Sequence, residues 1–393
     1  MNSGAERTDL TQHDSRLDLT TGEEFSLTTT SPLGLRDTEI NELWDRYLSE
    51  AGQARMSWTT HLRLIRKLGA GGQGVVFLAE RRGADSFTLP VALKVFSPQR
   101  YRTAEDYDQD MERIGEIAAR VAGIQHDNLL LVQNFLDRNR IRMMVMEWVE
   151  GFDLRRLLTT RMFAVMHERF SERRWRQVNE MLVTTGPEQP RFKAGVAMSI
   201  IRSCLEAVGA LHREGIIHGD VKPANIMLKA SGLAKIIDIG SAFDMNRPPP
   251  RRACTPTYAA LEVLRGDPIT HLCDLASIGY VTIELLAGRP VFSSETSLKR
   301  LIERKTNIIR ELPELLPTEV TVNELLMSFI VNLVHPDPAA RFPSAEAAVT
   351  MKNGAADFLR QLVKGDLSSE YQNDLRHWIE ELLELDPQVL GET

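Results

Sequence analysis

The stretch that decides the fold is Ile217-His218-Gly219-Asp220-Val221-Lys222-Pro223-Ala224-Asn225-Ile226-Met227-Leu228. One short loop holds an acid, a lysine two residues later and an asparagine five residues after the acid. The apolar residues that follow predict that the chain then returns into a strand. Each polar residue alone is compatible with an ordinary surface loop. The joint pattern predicts a site where Asp220 accepts a hydroxyl proton, Lys222 neutralises phosphate charge and Asn225 binds a metal.

A second polar position follows closely, in Lys235-Ile236-Ile237-Asp238-Ile239-Gly240. Asp238 stands at the end of an apolar strand, and a glycine comes two residues later. A carboxylate in this position can hold Mg²⁺ that bridges the phosphates of a nucleotide. Asp238 is therefore the second predicted metal ligand, beside Asn225.

A glycine-rich segment, Leu68-Gly69-Ala70-Gly71-Gly72-Gln73-Gly74-Val75-Val76, lies far upstream. The pattern G-x-G-x-x-G alone is a weak signal, because dinucleotide-binding domains share it. In those domains the glycines open a helix, whereas the residues after Gly74 favour a strand. No Lys-Ser/Thr pair follows, so the segment is not a Walker P-loop. It predicts a strand-turn-strand flap whose backbone can approach phosphates, the alternative being a glycine-rich hairpin without a ligand.

A lysine lies inside the apolar run Val91-Ala92-Leu93-Lys94. A buried ammonium is costly without an anionic partner, so we expect Lys94 to contact phosphate oxygens and a carboxylate from a helix. Glu116 is the predicted carboxylate. Glu112, one turn earlier on the same helical face, is the alternative.

Composition sets the outer limits. The chain has 393 residues, of which 43% are hydrophobic and 26% charged, as in ordinary soluble proteins. A net charge of −7 gives no indication of nucleic-acid binding. The three cysteines are widely spaced and fit a reducing compartment. The polar N-terminus resembles no signal peptide, and the apolar stretch at 278–292 is too short and too charged to span a membrane. We therefore expect a cytoplasmic protein.

Taken together, these segments resemble the eukaryotic-like, or Hanks-type, serine/threonine protein kinases over about residues 61 to 350. The resemblance implies an α+β, bilobal protein kinase fold: a small antiparallel β-sheet lobe, a larger helical lobe, and ATP and Mg²⁺ in the cleft between them. It identifies Asp220 as the catalytic base and Lys222 as the γ-phosphate lysine, with Asn225 and Asp238 as metal ligands. The residues it implies for nucleotide binding are Gly69, Gly71, Gly74, Val76, Ala92, Lys94, Glu116, Glu147 and Val149.

Other segments bear on the substrate. Ala260-Leu261-Glu262 resembles the A-P-E motif, and Thr255-Pro256 resembles the substrate-facing loop of serine/threonine kinases. Arg341 would be the buried ion-pair partner of Glu262. Lys222 is also the serine/threonine choice at its position. The resemblance thus implies transfer of phosphate to serine and threonine of protein substrates, including the chain itself. Two alternatives stay open: a small-molecule kinase of the aminoglycoside or choline type, and a pseudokinase-like scaffold.

Two residues depart from the family pattern. Gly219 replaces the arginine that usually precedes the catalytic aspartate, which makes the chain a non-RD, His-Gly-Asp variant. That arginine normally pairs with a phosphate on the activation loop, so we expect activity that does not depend on such a phosphate. Ile239 stands where phenylalanine is usual, and its apolar character should preserve the role of Asp238.

The predicted organisation follows from composition and periodicity. Residues 1–35 are rich in serine and threonine, have no apolar period and are predicted to be a disordered tail, whose threonines would be autophosphorylated and recruit a phosphothreonine-binding partner. The remaining predicted units are an amphipathic helix and linker at 36–57, a kinase domain at 58–350 with its small lobe at 58–149 and its large lobe at 150–350, and a C-terminal helical extension at 351–393.

Two segments raise a question of partners. The insert at 159–192 predicts an amphipathic helix from about Phe163 to Leu182 with a basic face, which either docks an acidic partner or packs on the large lobe. A helix predicted at 368–385 also carries an apolar face. That face would pack on the kinase domain, on a second copy or on another protein.

Overall fold

The computed structural model describes residues 38–52, 61–249, 254–295, 297–363 and 371–385. The predicted tail at 1–35, the end of the predicted linker, residues 250–253, and residues 364–370 and 386–393 of the predicted C-terminal extension lie outside the described residues. Within the described ranges, the chain forms a small lobe built on a sheet and a larger, mainly helical lobe.

The small lobe is an antiparallel sheet of five strands in the order β1-β2-β3-β5-β4. The strands and helices of this lobe are β1 (His61–Gly71), β2 (Gly74–Arg82), β3 (Thr88–Phe96), β4 (Val132–Arg138), β5 (Ile141–Glu147), α1 (Thr38–Ala51) and α2 (Ala104–Ala122). Strand β3 is central, and every residue from Val91 to Phe96 is buried. This burial explains its continuous apolar run, within which Lys94 lies.

The large lobe is built around two long helices, α6 (Ala194–Arg213) and α8 (Leu272–Ala287). All residues of α8 after Leu272 are buried, so this helix is the centre of the lobe. Helix α6 is long and apolar enough to cross a membrane, but 72% of its apolar window is buried inside the fold. The remaining helices are α3 (Leu154–Leu157), α4 (Thr160–Arg169), α5 (Glu172–Met181), α7 (Leu261–Arg265), α9 (Leu298–Leu315), α10 (Thr318–Thr321), α11 (Glu324–Val334), α12 (Ala345–Thr350), α13 (Ala355–Val363) and α14 (Tyr371–Leu383).

Short strands of the large lobe frame the loops that face the cleft. They are β6 (Gly151–Asp153), β7 (Val183–Thr184), β8 (Arg191–Phe192), β9 (Ile216–Ile217), β10 (Ile226–Lys229), β11 (Ala234–Ile236) and β12 (Phe243–Asp244). Strand β10 lies between β11 and β6, and β12 pairs with β9. The loop from 218 to 225 thus connects β9 to β10, and β10 is the strand that the apolar run after Asn225 predicted.

The N-terminal amphipathic helix forms as predicted. Ile40, Leu43 and Tyr47 of α1 are buried, and the helix packs against α2 and β5. Its last turn carries Glu50, which lies 3.2 Å from the guanidinium of Arg138. Helix α1 is therefore a structural part of the small lobe.

The insert and the C-terminal helix pack on each other. The single helix predicted from Phe163 to Leu182 is two helices, α4 and α5, because Ser171 caps the second one. The indole N–H of Trp378 in α14 contacts the sulfur of Met166 in α4, and its ring lies edge-on to Phe192. Arg174 of α5 pairs with Glu381 of α14. Within the described residues, both apolar faces are thus covered inside the chain itself.

Candidate active site

The loop at residues 218–225 brings three polar side chains to one point. The ammonium of Lys222 lies 2.8 Å from Asp220 Oδ2 and donates to the hydroxyl of Thr255 at 2.8 Å. The backbone N–H of Thr255 donates to Asp220 Oδ1 at 2.9 Å. Asn225 donates to the carbonyl of Asp220 at 2.9 Å and lies 3.3 Å from its carboxylate. The structure therefore places Asp220, Lys222 and Asn225 together, as predicted.

A buried acid holds this loop from below. Asp274 of α8 accepts from the backbone N–H groups of His218 and Gly219, each at 2.9 Å, and lies 2.9 Å from the ring of His212. Burial raises the pKa of Asp274, but the two histidines and the backbone donor outweigh burial and hold this pKa below its usual value. Asp274 therefore stays ionised and fixes the backbone just before Asp220.

Gly219 has a conformational reason to be glycine. Its φ is +76°, in the left-handed region that other residues rarely adopt. A Cβ atom there would lie 3.1 Å from the carbonyl oxygen of Ser241 and 3.2 Å from the ring of Phe243. The backbone conformation of this turn thus favours glycine at the position where the family usually has arginine.

The second metal-ligand candidate pairs with the buried lysine. Asp238 Oδ1 accepts from Lys94 Nζ at 2.6 Å and from the backbone N–H of Gly240 at 2.9 Å. Burial raises the pKa of Asp238, but the positive charge of Lys94 and these hydrogen bonds outweigh burial and lower it to about 2. Asp238 adopts a φ of +65°, an uncommon conformation of the kind that concentrates at functional sites.

The glycine flap contributes a polar side chain that sequence reasoning missed. Gln73 accepts from Lys94 Nζ at 2.6 Å and donates to the hydroxyl of Ser241 at 2.9 Å. A Cβ on Gly240 would lie 2.2 Å from the Gln73 oxygen, so the approach requires glycine there. The amide oxygen of Gln73 thus contacts the ammonium that was predicted to meet phosphate.

The three predicted flap glycines are not equivalent. Gly74 has a φ of +139°, and a Cβ there would lie 2.0 Å from the carbonyl oxygen of Val95. Gly69 and Gly71 face open space, with nothing within 4 Å of a Cβ. Gly74 is therefore required by the hairpin, whereas Gly69 and Gly71 leave the inner side of the flap free of side chains.

The prediction that Glu116 pairs with Lys94 is wrong in this structure. Glu116 is exposed and lies 3.2 Å from Arg247 at the surface. The alternative, Glu112, is exposed as well. The register of α2 explains the error, because this helix turns apolar residues such as Ile114 and Ile117 toward the sheet.

Helix α2 is instead tied to the segment after Asp238 by arginines. Arg113 donates to the carbonyl of Ala242 at 2.7 Å. Arg120 pairs with Asp244 at 2.5 Å. No sequence motif indicated these contacts, because the residues that accept from the two arginines lie more than a hundred positions further along the chain.

Glu147, which was predicted to bind the nucleotide, has a structural role in the segment between the lobes. The carboxylate of Glu147 accepts from the backbone N–H of Leu131 at 2.7 Å and from Lys235 at 2.5 Å. Its side chain therefore points to protein partners, which leaves backbone groups for a nucleotide base. Val149 is buried, as is Ala92, which lies opposite Met146 across β3 and β5. Val76, which is partly buried, lies opposite Lys94.

The predicted ion pair of the large lobe is present. Arg341 donates to both carboxylate oxygens of Glu262, at 2.7 and 2.8 Å, and both residues are buried. Arg341 also donates to the carbonyls of His335 and Leu272. Glu262, one member of this bidentate pair, follows Thr255 by seven residues along the chain.

A family model described as the protein kinase domain matches residues 62–352. The chain belongs to the protein kinase family. Together with the antiparallel small lobe and the helical large lobe, this membership confirms the bilobal fold expected from the sequence. The match also fits the predicted limits of the kinase domain closely, although those limits themselves stay a prediction.

Named relatives of this kinase are serine/threonine kinases. It is 25% identical to the serine/threonine-protein kinase PrkC of Bacillus subtilis and 28% identical to PknD of Mycobacterium tuberculosis, over 72% of the chain in each case. It is 26% identical to the serine/threonine-protein kinase PAK mbt of Drosophila melanogaster over 80% of the chain. The matches cover 39%, 38% and 42% of these relatives, so the chain spans about two fifths of their length. The predicted resemblance to serine/threonine protein kinases is thereby confirmed.

Proposed function

We propose that this kinase transfers the γ-phosphate of ATP, with Mg²⁺, to serine and threonine of protein substrates and of the chain itself. The observation that carries the proposal is the contact of Thr255 with both Asp220 and Lys222, at 2.9 and 2.8 Å. It sets a loop that can receive a peptide directly against the proposed base. The two groups that act on the hydroxyl and on the phosphate are therefore fixed relative to one platform.

Each residue has a role that its contacts support. Asp220 orients the attacking hydroxyl and accepts its proton, while Lys222 and Lys94 neutralise phosphate charge. Asn225 and Asp238 fit the oxygen-ligand chemistry of Mg²⁺, and both lie beside the groups that would face the phosphates. Bound magnesium would supply charge neutralisation at the phosphates. Catalysis would thus come mainly from positioning and electrostatics.

The two alternative functions have less support. A pseudokinase-like scaffold usually lacks the lysine or one of the two acids, and Lys94, Asp220 and Asp238 are all present. A small-molecule kinase would not need the Thr255 contact or the buried pair of Glu262 and Arg341 that follows it. Both features favour a protein substrate.

We further propose that no activation-loop phosphate is needed, because Gly219 supplies no guanidinium beside the catalytic loop. Treating the purified protein with a phosphatase should leave its activity nearly unchanged. A large loss, restored by rephosphorylation at a loop position such as Thr257, would contradict this. The cytoplasmic location and the phosphothreonine-binding partner of the N-terminal tail remain predictions.

One experiment tests the proposed function. The protein is incubated with labelled ATP and Mg²⁺, alone and with a general protein substrate, beside Asp220→Asn and Lys94→Met. We expect label in protein serine and threonine, reduced on the order of 10²–10⁴-fold in Asp220→Asn. Nucleotide binding without transfer would favour the scaffold, and transfer only to an added aminoglycoside or choline would favour the small-molecule kinase.

A further inference from the structure

A fully buried lysine lies beneath residues 255–260, in the loop that precedes Glu262. Lys305 of α9 has an exposed fraction of 0%. Its ammonium donates to the backbone carbonyls of Thr257 at 2.8 Å and of Ala259 at 2.7 Å. The same nitrogen lies 3.7 Å from the centroid of the Tyr280 ring and 4.5 Å from that of Phe292. Two carbonyls and two aromatic faces thus surround the charge.

The free-energy cost of burying this ammonium must be offset by the groups that surround it. Burying an ammonium is strongly unfavourable, and burial lowers the pKa of Lys305 well below its ordinary value, although Cys254 and Glu262 act in the opposite direction. Among the described residues, no carboxylate lies within ion-pair distance of Nζ. The two carboxylate oxygens of Glu262 accept hydrogen bonds from Arg341. The carbonyl contacts are charge-assisted hydrogen bonds, and the rings add cation–π attraction. An apolar side chain of similar length would fill the space without holding the two carbonyls.

The same loop is held at its other end by the catalytic groups. Residues 255–260 form what we term the platform loop, whose turn is closed by hydrogen bonds from the N–H groups of Tyr258 and Ala259 to the carbonyl of Thr255. Thr255 contacts Asp220 and Lys222, as described above. Lys305 therefore holds one side of a turn whose first residue touches the proposed base.

We propose that Lys305 is a positioning residue for the protein substrate. By fixing the carbonyls of Thr257 and Ala259, it sets the shape of the platform loop that residues flanking the phosphoacceptor must cross to bring a hydroxyl to Asp220. This inference rests on the proposed function, because it assigns Lys305 to the protein-substrate side of that reaction. Its effect should fall mainly on the peptide, because the predicted flap glycines and Lys94 belong to the small lobe, while Lys305 contacts the platform loop of the large lobe.

The test compares Lys305→Met with the matched control Lys299→Met. Methionine has nearly the length of lysine without its donor, and Lys299 is an exposed lysine of the same helix. Initial rates are measured against peptide and against ATP concentration, and hydrogen exchange is measured across residues 255–260. We expect Lys305→Met to raise KM for the peptide about ten-fold, the scale of a lost hydrogen bond to a charged group. KM for ATP should stay within about two-fold, since the peptide alone crosses the platform loop.

Exchange at Tyr258 and Ala259 should accelerate in Lys305→Met, while Lys299→Met behaves as the wild type. An unchanged KM for the peptide, or equal rises in KM for peptide and ATP, would overturn the inference. Should Lys305→Met fail to fold, Lys305→Gln, which keeps a polar donor, is measured in the same way. If the wild type phosphorylates no protein, the proposed function fails. The exchange comparison then still decides whether Lys305 holds the platform loop, and unchanged exchange would overturn that contact.

Discussion

The two sides of the cleft are held in different ways. On the substrate side, Asp220, Lys222 and Thr255 contact one another within the large lobe, and Asp274 of the same lobe fixes the backbone. On the nucleotide side, Lys94 of the small lobe reaches Asp238 of the large lobe. The proposed proton acceptance is thus organised within one lobe, whereas the proposed phosphate binding involves residues of both lobes.

The difference extends to helix α2. Its contacts with the segment after Asp238 run through Arg113 and Arg120, and its acid Glu116 pairs with Arg247 at the surface. All of these contacts cross from one lobe to the other. A change in lobe orientation would therefore alter the nucleotide side first and leave the substrate side in place.

The largest effect, on the free energy of unfolding, should come from breaking the buried ion pair of Glu262 and Arg341 on the substrate side. Glu262→Gln leaves the guanidinium of Arg341 without its charged partner, which should lower the free energy of unfolding by about 3 kcal/mol. Thermal unfolding measures the change. The control is Glu319→Gln, whose exposed pair with Arg191 should contribute less than about 1 kcal/mol. Equal losses in the two variants would contradict the assignment of stability to the buried pair.

A second test acts where the two sides meet, at Gly219. Gly219→Ala and Gly219→Arg both place a Cβ at φ +76°, so we expect kcat to fall by about ten-fold in each, the kinetic equivalent of 1–2 kcal/mol of strain. Assays before and after phosphatase treatment measure the effect. If Gly219→Arg instead exceeded the wild type and became sensitive to phosphatase, the conformational explanation of this glycine would be wrong.

A third test concerns Gln73 on the nucleotide side, and here the substitution is expected to improve ATP binding. Gln73 accepts from Lys94, so a nucleotide phosphate must displace its amide oxygen to reach the ammonium. Gln73→Ala should therefore lower KM for ATP by about five-fold, because the phosphate no longer has to replace the hydrogen bond that Lys94 donates to Gln73. Gln133→Ala, which removes a glutamine bonded to Arg81, is the control and should leave KM for ATP unchanged. A higher KM for ATP in Gln73→Ala would show that Gln73 assists binding.

The smallest effect is expected at Glu116. Because the ion pair that Glu116 makes with Arg247 among the described residues is exposed, Glu116→Ala should leave kcat/KM within about two-fold of the wild type. Steady-state kinetics beside Lys94→Met provides the scale. A loss in Glu116→Ala as large as that in Lys94→Met would mean that the two residues pair during turnover.

Sequence reasoning succeeded where the chemistry is local. Asp220, Lys222 and Asn225 lie within six consecutive residues, so their spacing alone brings them together. The antiparallel small lobe was also predictable, because alternating and continuous apolar runs mark its strands. The pair of Glu262 and Arg341 was accessible only through the resemblance to a family.

The errors and omissions share a physical cause. The register of α2 depends on which face packs against the sheet, and the face that carries Glu116 lies at the surface. Lys305 was missed because its partners are backbone carbonyls, which carry no sequence signal and lie more than forty residues away. The packing of α14 on the insert joins residues over two hundred positions apart.

The packing of α14 on the insert determines how far the chain can be truncated from its C-terminal end. The family match ends at residue 352, but Trp378 of α14 covers Met166 and Phe192, which are fully buried. A fragment ending near residue 352 would uncover this apolar surface on the large lobe and tend to self-associate in solution. The unit that must be produced to keep this surface covered is therefore longer than the segment that the family model matches.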